Sequence, residues 1–267
     1  MSSTSFSARV KQIIGENFDQ SISLYQAFED KHRFFSALTI KLAEYIGINH
    51  EASVLDVGCG YGLSAKALNE RFGCRVVGVD LSPKMIAAGK TLYDLPGIQL
   101  VVGDGEKLSD AIGSQSFDYV LYNASIFLFP DVERTIRASY QSLCKGGKIG
   151  FSFYPQVVGQ KNEDLLDVAF GILGRRPPKF RVITTYTKAA AALRQCYGNI
   201  RHHQWERPLD IEFLQDFFSI PAQSASLFPG LEFEARRRLV RRLFEALDGY
   251  SNIGRIIWRM AEATRQC

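Results

Sequence analysis

Ser53-Val54-Leu55-Asp56-Val57-Gly58-Cys59-Gly60-Tyr61-Gly62 is the stretch on which the reading of this chain turns. A short apolar run ends in an acid and then in three glycines spaced two apart, the pattern D-x-G-x-G-x-G. Leu63 to Leu68 continue with the apolar spacing of an amphipathic helix. Glycine permits positive φ and lets a ligand approach the main chain where a Cβ would otherwise stand. A helix start adds unpaired N–H groups and the positive end of its dipole. Strand, glycine turn and helix N-terminus together predict a nucleotide site. The dinucleotide fingerprint G-x-G-x-x-G does not fit, because the third glycine comes one residue early. That spacing disfavours a nicotinamide-linked oxidoreductase.

Two further runs repeat the arrangement. Cys74 to Asp80 is β-branched and ends in an acid, and Ile98 to Val102 leads into Gly103-Asp104-Gly105-Glu106. Asp56, Asp80 and Asp104 follow one another at intervals of 24 residues, the spacing of consecutive βα units that share one carboxyl edge, where α/β ligands bind. A carboxylate at the end of the second strand can accept both hydroxyls of a ribose. Phe117 to Asn123 reads as a buried parallel strand, residues 133–143 as a helix, 143–147 as a turn and 148–154 as a fifth strand.

The D-x-G-x-G-x-G turn, Leu81-Ser82-Pro83-Lys84-Met85 after the second strand, the acid after the third, and the L-x-x-G-G of Leu143 to Gly147 resemble, in order, motifs of the class I S-adenosylmethionine (SAM) methyltransferases. The resemblance covers residues 53–154. It implies that Asp56, Gly58, Cys59 and Gly60 hold the methionine end of SAM and Asp80 its ribose. Leu81 and Met85 would flank the adenine, and Asp104, Gly105 and Glu106 would meet its edge. Asn123 would orient SAM or the acceptor, with Ile126, Phe127 and Phe129 making an apolar wall. A helix before the glycine turn would close over SAM and bring Tyr25 to it, and Tyr25 and Tyr61 are the rings nearest the sulfonium. Gly146 and Gly147 are read as structural.

The expected fold is α/β: a doubly wound, seven-stranded, mostly parallel sheet with a helical N-terminal lid and an inserted helical cap. Residues 1–47 would be the lid, 48–155 the SAM-binding core, and 156–267 the remaining strands and the cap, all within one domain. Residues 6–47 read as helical and carry Phe18, Tyr25, Phe28, Phe34 and Phe35 within eighteen residues. Later helices are expected at 161–173, 187–197, 211–219 and 231–247, and an antiparallel hairpin from strands at 200–206 and 253–263. No catalytic residue is fixed by a motif; Tyr25, His202 and His203 are the candidates, the two histidines as general bases, though as neighbours on a strand they face opposite ways. Arg236 to Arg242 reads as a solvated helix face, with the i,i+4 pairs Glu232–Arg236, Glu234–Arg238 and Arg241–Glu245, or as a docking face for an acidic carrier protein.

Composition narrows the classes. The chain has 267 residues, 46% hydrophobic, with a net charge of +4, which does not by itself imply nucleic acid. No apolar run reaches the length of a membrane span, and the first residues lack a signal-peptide core, so a cytoplasmic protein is expected. Five scattered cysteines give neither a disulfide framework nor a metal-ligand spacing, and no metal is expected. The function expected is methyl transfer from SAM to a small, partly hydrophobic organic acceptor. The alternatives are a carrier-protein-bound acyl acceptor, as in the malonyl carrier-protein methyltransferases that share this layout, and SAM binding without transfer. An acceptor on nucleic acid or protein glutamine is disfavoured, since Asn123-Ala124-Ser125-Ile126 stands where such enzymes carry an N/D-P-P-Y/F motif.

Overall fold

Apolar runs closed by acids and glycines become parallel strands covered on both faces. The computed structural model of the chain describes residues 3–179, 182–248 and 254–266; Ile253, expected to open the last strand, and Cys267 lie outside them. Strands β1 (Ser53–Val57), β2 (Arg75–Asp80), β3 (Ile98–Val102), β4 (Phe117–Tyr122) and β5 (Leu143–Ser152) pair in parallel in the order β3-β2-β1-β4-β5. Val54, Leu55, Val57, Val120 and Leu121 are buried, as expected for strands with helices on both faces. Those helices are α4 (Leu63–Phe72), α5 (Pro83–Leu92), α6 (Leu108–Ile112) and α7 (Val132–Ser142). Ser82 explains the start of α5: its hydroxyl accepts from the Met85 N–H, and Pro83 takes the first turn, where no N–H is needed.

Beyond β5 the sheet is completed by β6 (Gln156–Gly159), β7 (Ile200–Leu209) and β8 (Gly254–Thr264). β8 runs antiparallel to all three, with β7 along one edge and β5 and β6 on the other. Ser152 lies opposite Met260 and Gln156 opposite Ile257. β5 and β6 are therefore one strand interrupted near Pro155, which has no N–H for the ladder. Eight strands occupy seven positions, and the hairpin expected near residues 202 and 257 is present. The turn expected at 143–147 is instead drawn into β5, where Leu143 pairs with Phe117.

The helix expected across residues 6–47 is three helices, α1 (Ser3–Asp19), α2 (Ile22–His32) and α3 (Phe34–Ile46). Arg33 takes a left-handed conformation at φ 46° between the last two. The Glu29 carboxylate accepts from the N–H groups of Phe35 and Ser36 at 2.9 and 3.2 Å. The cap of α3 thus comes from the preceding helix, and the sequence carries no Gly or Pro to mark the break. The second half adds α8 (Leu165–Ile172), capped by Asp164, and α9 (Tyr186–Tyr197), capped by Thr185. Between β7 and β8 stand α10 (Ile211–Ser219), α11 (Pro221–Leu227) and α12 (Phe233–Glu245). Leu231, expected inside the last helix, is an exposed loop residue.

The expected i,i+4 pairs on α12 do not form. Arg236 is buried and donates to Asn17 Oδ1 at 2.8 Å, and Glu234 pairs with Arg237 at 3.4 Å. Arg238, Arg241 and Arg242 are exposed and make no ion pair among the described residues.

An aromatic cluster joins the N-terminal helices to α10 and β8 in the last part of the chain. Phe28 of α2 and Phe34 of α3 meet Phe213 of α10 at ring separations of 5.3 and 5.0 Å. Phe217 packs on Phe28 at 5.6 Å, and Trp258 of β8 on Phe34 at 5.9 Å. Phe217 is fully buried, so Phe217→Ala is expected to cost about 3–5 kcal/mol, seen in urea titration as a lower midpoint at unchanged slope.

Candidate functional site

The sheet order reverses between β1 and β4, and two adjacent chambers open at the carboxyl ends of these strands. Their empty volumes, counted with the space open to solvent, are about 640 and 510 Å³. Gly58, Ala124 and Phe18 border both. The outer chamber lies over β2 and β3, lined by Asp80, Leu81, Asp104 and Gly105 and covered by Lys11, Ile14, Gly15 and Phe18 of α1. The inner chamber lies over the glycine turn, lined by Gly58, Cys59, Gly60 and Tyr61 with Tyr25, Phe35, Ser64, Met85 and Asn123.

Two glycines in the turn serve different ends. Gly58, at φ 78°, lies so close to Ser125 that an added Cβ would fall 2.6 Å from its Cβ. Gly60, at φ 55°, faces open space with nothing within 4 Å, so its main chain is bare towards the inner chamber. Its N–H donates to Asp80 Oδ2 at 2.8 Å, and the Ser82 N–H donates to Asp80 Oδ1 at 2.9 Å. Burial raises the Asp80 carboxyl above its ordinary value, and these N–H groups work against that shift. Each oxygen retains a lone pair towards the outer chamber.

Asp104 and Glu106 are both held from the core. The Glu106 N–H donates to Asp104 Oδ1 at 3.0 Å, and the Asp131 N–H to Glu106 Oε1 at 2.9 Å. Their remaining oxygens both meet Lys11 Nζ, at 2.8 and 2.6 Å. Glu106 is therefore a buried anchor rather than part of the chamber wall.

Asn123 is buried in a network of four elements. Its amide nitrogen donates to Thr39 Oγ1 at 2.8 Å and Ser64 Oγ at 3.2 Å, and its oxygen accepts from Ser152 Oγ at 2.9 Å. The Ser152 hydroxyl also accepts from the Ala124 N–H at 2.8 Å, holding Ala124 at φ 55°. Both amide protons are thus spent on the protein, and Asn123 shapes the wall rather than offering a donor.

Tyr25 is buried, its hydroxyl accepting from Gln223 at 3.0 Å and its ring edge-on to Phe35 at 5.5 Å. Burial holds the Tyr25 and Tyr61 hydroxyls and the Cys59 thiol well above their ordinary pKa values. Asp56 is fully buried beneath the turn, lines neither chamber, and has no hydrogen-bond partner on either oxygen.

Several expected positions are corrected by this geometry. Met85 lines the inner chamber, so it does not flank the same space as Leu81. Ile126 and Phe127 are buried in the core, and only Phe129 of the expected apolar wall reaches a chamber, the outer one. His202 and His203 line neither chamber. His202 Nδ1 lies 2.6 Å from the Tyr186 hydroxyl, and His203 meets Glu262 at 3.0 Å and stacks on Tyr45. Among the described residues no cluster of His, Cys, Asp or Glu could hold a metal ion, and no helix is long and apolar enough to cross a membrane.

A family model described as a methyltransferase domain matches residues 55–151, the segment from β1 to β5 that supplies the floor of both chambers. This segment carries a methyltransferase domain, and the chain is similar to SAM-dependent methyltransferases. A malonyl-[acyl-carrier protein] O-methyltransferase of Priestia megaterium is 28% identical over 145 residues, 54% of this chain and 52% of that protein. The chain thus spans about half the length of that relative. A protein of the same description from Ilyobacter polytropus is 26% identical over 241 residues, 89% of this chain and 85% of that one. In fold, the chain resembles phosphoethanolamine N-methyltransferase 2 of Haemonchus contortus in complex with SAM, with a TM-score of 0.59 at 17% identity, covering 93% of this chain and 57% of that one.

The residues present fit SAM: two acids with free lone pairs in one chamber, a glycine main chain without side-chain cover in the next, and Phe18, Gly58 and Ala124 shared between them. The contribution of α1 was not legible. Lys11, Ile14, Gly15 and Phe18 recur at helical spacing and form one face, but nothing in that pattern tells a face that lines a cavity from one packed on core.

Asp56 carries a pH signature. Burial foremost, then the charge of Asp80, pushes its carboxyl up to about 7. The folded protein then keeps a proton that the unfolded chain releases, so the associated stability is complete below about pH 4 and lost as pH rises through about 7. Asp56→Asn is therefore expected to gain stability relative to the wild type between about pH 5 and 8, by up to about 4 kcal/mol. Urea titrations across that range measure the difference, and a pH-independent gap would remove Asp56 as its source.

Proposed function

We propose that the chain transfers the methyl group of SAM to a small, partly hydrophobic acceptor whose nucleophile needs no proton removed, a carboxylate or a free amine. The observation that carries this reading is the inner chamber, where a bare glycine turn faces Phe18, Tyr25 and Phe35 with no side chain that is a base near neutral pH. In the proposed arrangement Asp80 accepts from the ribose hydroxyls, Asp104 and the Gly105 main chain meet the adenine edge, and Gly58 to Gly60 cradle the methionine end. Leu81 and Phe129 wall the nucleoside.

SAM supplies a methyl carbon already activated by its sulfonium. The lone pair of the acceptor forms the new bond to that carbon as the carbon–sulfur bond breaks and its electron pair passes to sulfur, leaving S-adenosylhomocysteine. The protein's part is to align the two and exclude water. The rings of Phe18, Tyr25 and Tyr61 suit a cationic sulfur by cation–π attraction, and the buried Asn123 network keeps the wall beside the methyl group fixed.

Asp80→Asn is expected to weaken S-adenosylhomocysteine binding about tenfold or more, since an acceptor for charge-assisted hydrogen bonds is lost. Calorimetry measures this, and release of S-adenosylhomocysteine over a panel of carboxylic acids, amines and phenols tests turnover. Tight binding with no turnover on any acceptor would support a SAM-binding protein without transfer.

A second reading, an acyl group carried on an acidic protein, is favoured by Arg238, Arg241 and Arg242 on α12, exposed and without an ion pair among the described residues, and by the similarity to the malonyl-[acyl-carrier protein] O-methyltransferase of Ilyobacter polytropus. On that reading, reversing the three charges to Glu raises KM for an acyl-carrier-protein thioester about tenfold or more while leaving KM for a short free thioester unchanged. An equal KM for both variants on the carrier substrate would return the acceptor to a free small molecule.

A further inference from the structure

Lys11 has no counterpart in the motifs read from the sequence, and it is the cation that joins α1 to the floor of the outer chamber. Its Nζ meets Asp104 Oδ2 and Glu106 Oε2, with side-chain exposures of 18%, 24% and 6% for the three residues. Both acids are also held through their other oxygens by main-chain N–H groups, those of Glu106 and Asp131, so they form a fixed socket. The same face of α1 carries Ile14, Gly15 and Phe18 over the chamber. A Cβ at Gly15 would meet nothing within 4 Å; this glycine faces empty space, not a packed neighbour. At the other end of the helix, Asn17 accepts from Arg236 and Asp19 Oδ2 lies 3.5 Å from Lys84.

We propose that Lys11 is a positioning residue for the cofactor: its double ion pair latches α1 over the nucleoside and sets the rate at which cofactor and product exchange. The inference rests on the outer chamber being the nucleoside site. A nucleoside held between Asp80 and Asp104 below and Ile14, Gly15 and Phe18 above leaves less readily while α1 is seated. Unseating the helix takes Lys11 away from both carboxylates and leaves them facing each other uncompensated. Burial works against the charge on Lys11, but hydrogen bonds and attraction from Asp104 and Glu106 outweigh it and raise its pKa above the ordinary lysine value. The pair is held as ions in direct contact and largely buried, so salt screens it little.

The test measures association and dissociation rates of S-adenosylhomocysteine by stopped flow for the wild type, Lys11→Met and Lys11→Arg. The latch predicts that Lys11→Met speeds dissociation about tenfold, speeds association as well, and leaves the melting temperature within a few degrees. Lys11→Arg restores slow exchange. Should Lys11→Met fail to fold, Lys11→Gln makes the same comparison. Unchanged exchange in the folded neutral variant overturns the latch. Failure of all three proteins to bind S-adenosylhomocysteine overturns the cofactor reading instead.

Discussion

The carboxylate of Asp80 is the constraint on which the site depends. One of its oxygens accepts from the Gly60 N–H and the other from the Ser82 N–H, so a single side chain ties the turn after β1 to the turn after β2. The main chain repeats the tie, since the N–H groups of Gly58 and Cys59 donate to the Val79 carbonyl at 2.8 and 3.2 Å. The glycine turn therefore hangs from the end of β2 without the help of a ligand. Its shape is preorganised, and binding need not order it. In the proposed arrangement Asp80 would also accept from the ribose, so the residue that holds the loop would be the one that reads the sugar.

The N-terminal helices extend this constraint to the rest of the chain. Asn17 receives a hydrogen bond from Arg236, Ser21 from the Ala222 N–H, and Tyr25 from Gln223. All three donors belong to the helical insertion between β7 and β8. On the other side, α3 packs on the sheet through Leu38, Leu42 and Ile46, and Gly150 of β5 leaves room for Ile46. The three helices are thus clamped between core and insertion, and their aromatic face becomes the roof of the inner chamber.

The floor of the site was legible in the sequence because local chemistry dictates it. An acid at each strand end, glycines at fixed spacing and Ser-Pro before a helix each have a backbone reason to occupy their places, and the structure sets Asp80 and Asp104 at one edge of the sheet. The break at Arg33 was not legible, since the capping Glu29 lies one helix earlier and no residue at the break signals a stop. The split of β5 and β6 was hidden for a similar reason: the pairing with β8, more than 100 residues later, shows them to be one strand. His202 and His203 attracted interest for their chemistry, but the strand carries one to Tyr186 and the other to Glu262, away from both chambers.

The same distinction explains why the cofactor side is written plainly and the acceptor side is not. Gly58 and Gly60 act through their own backbone, so their identity survives as a pattern. The inner chamber is made by side chains from α1, α2, α3 and α5, brought together by packing alone, and an aromatic ring in a helix reads alike whether it faces core or cavity. Its polar members are committed to each other: Asn123 spends both amide protons on Thr39 and Ser64, and Tyr25 accepts from Gln223. Few polar groups remain free to recognise an acceptor by hydrogen bonding. Discrimination must then rest on the shape enclosed by Phe18, Tyr25, Phe35 and Met85, and on an acceptor that brings its own reactive lone pair.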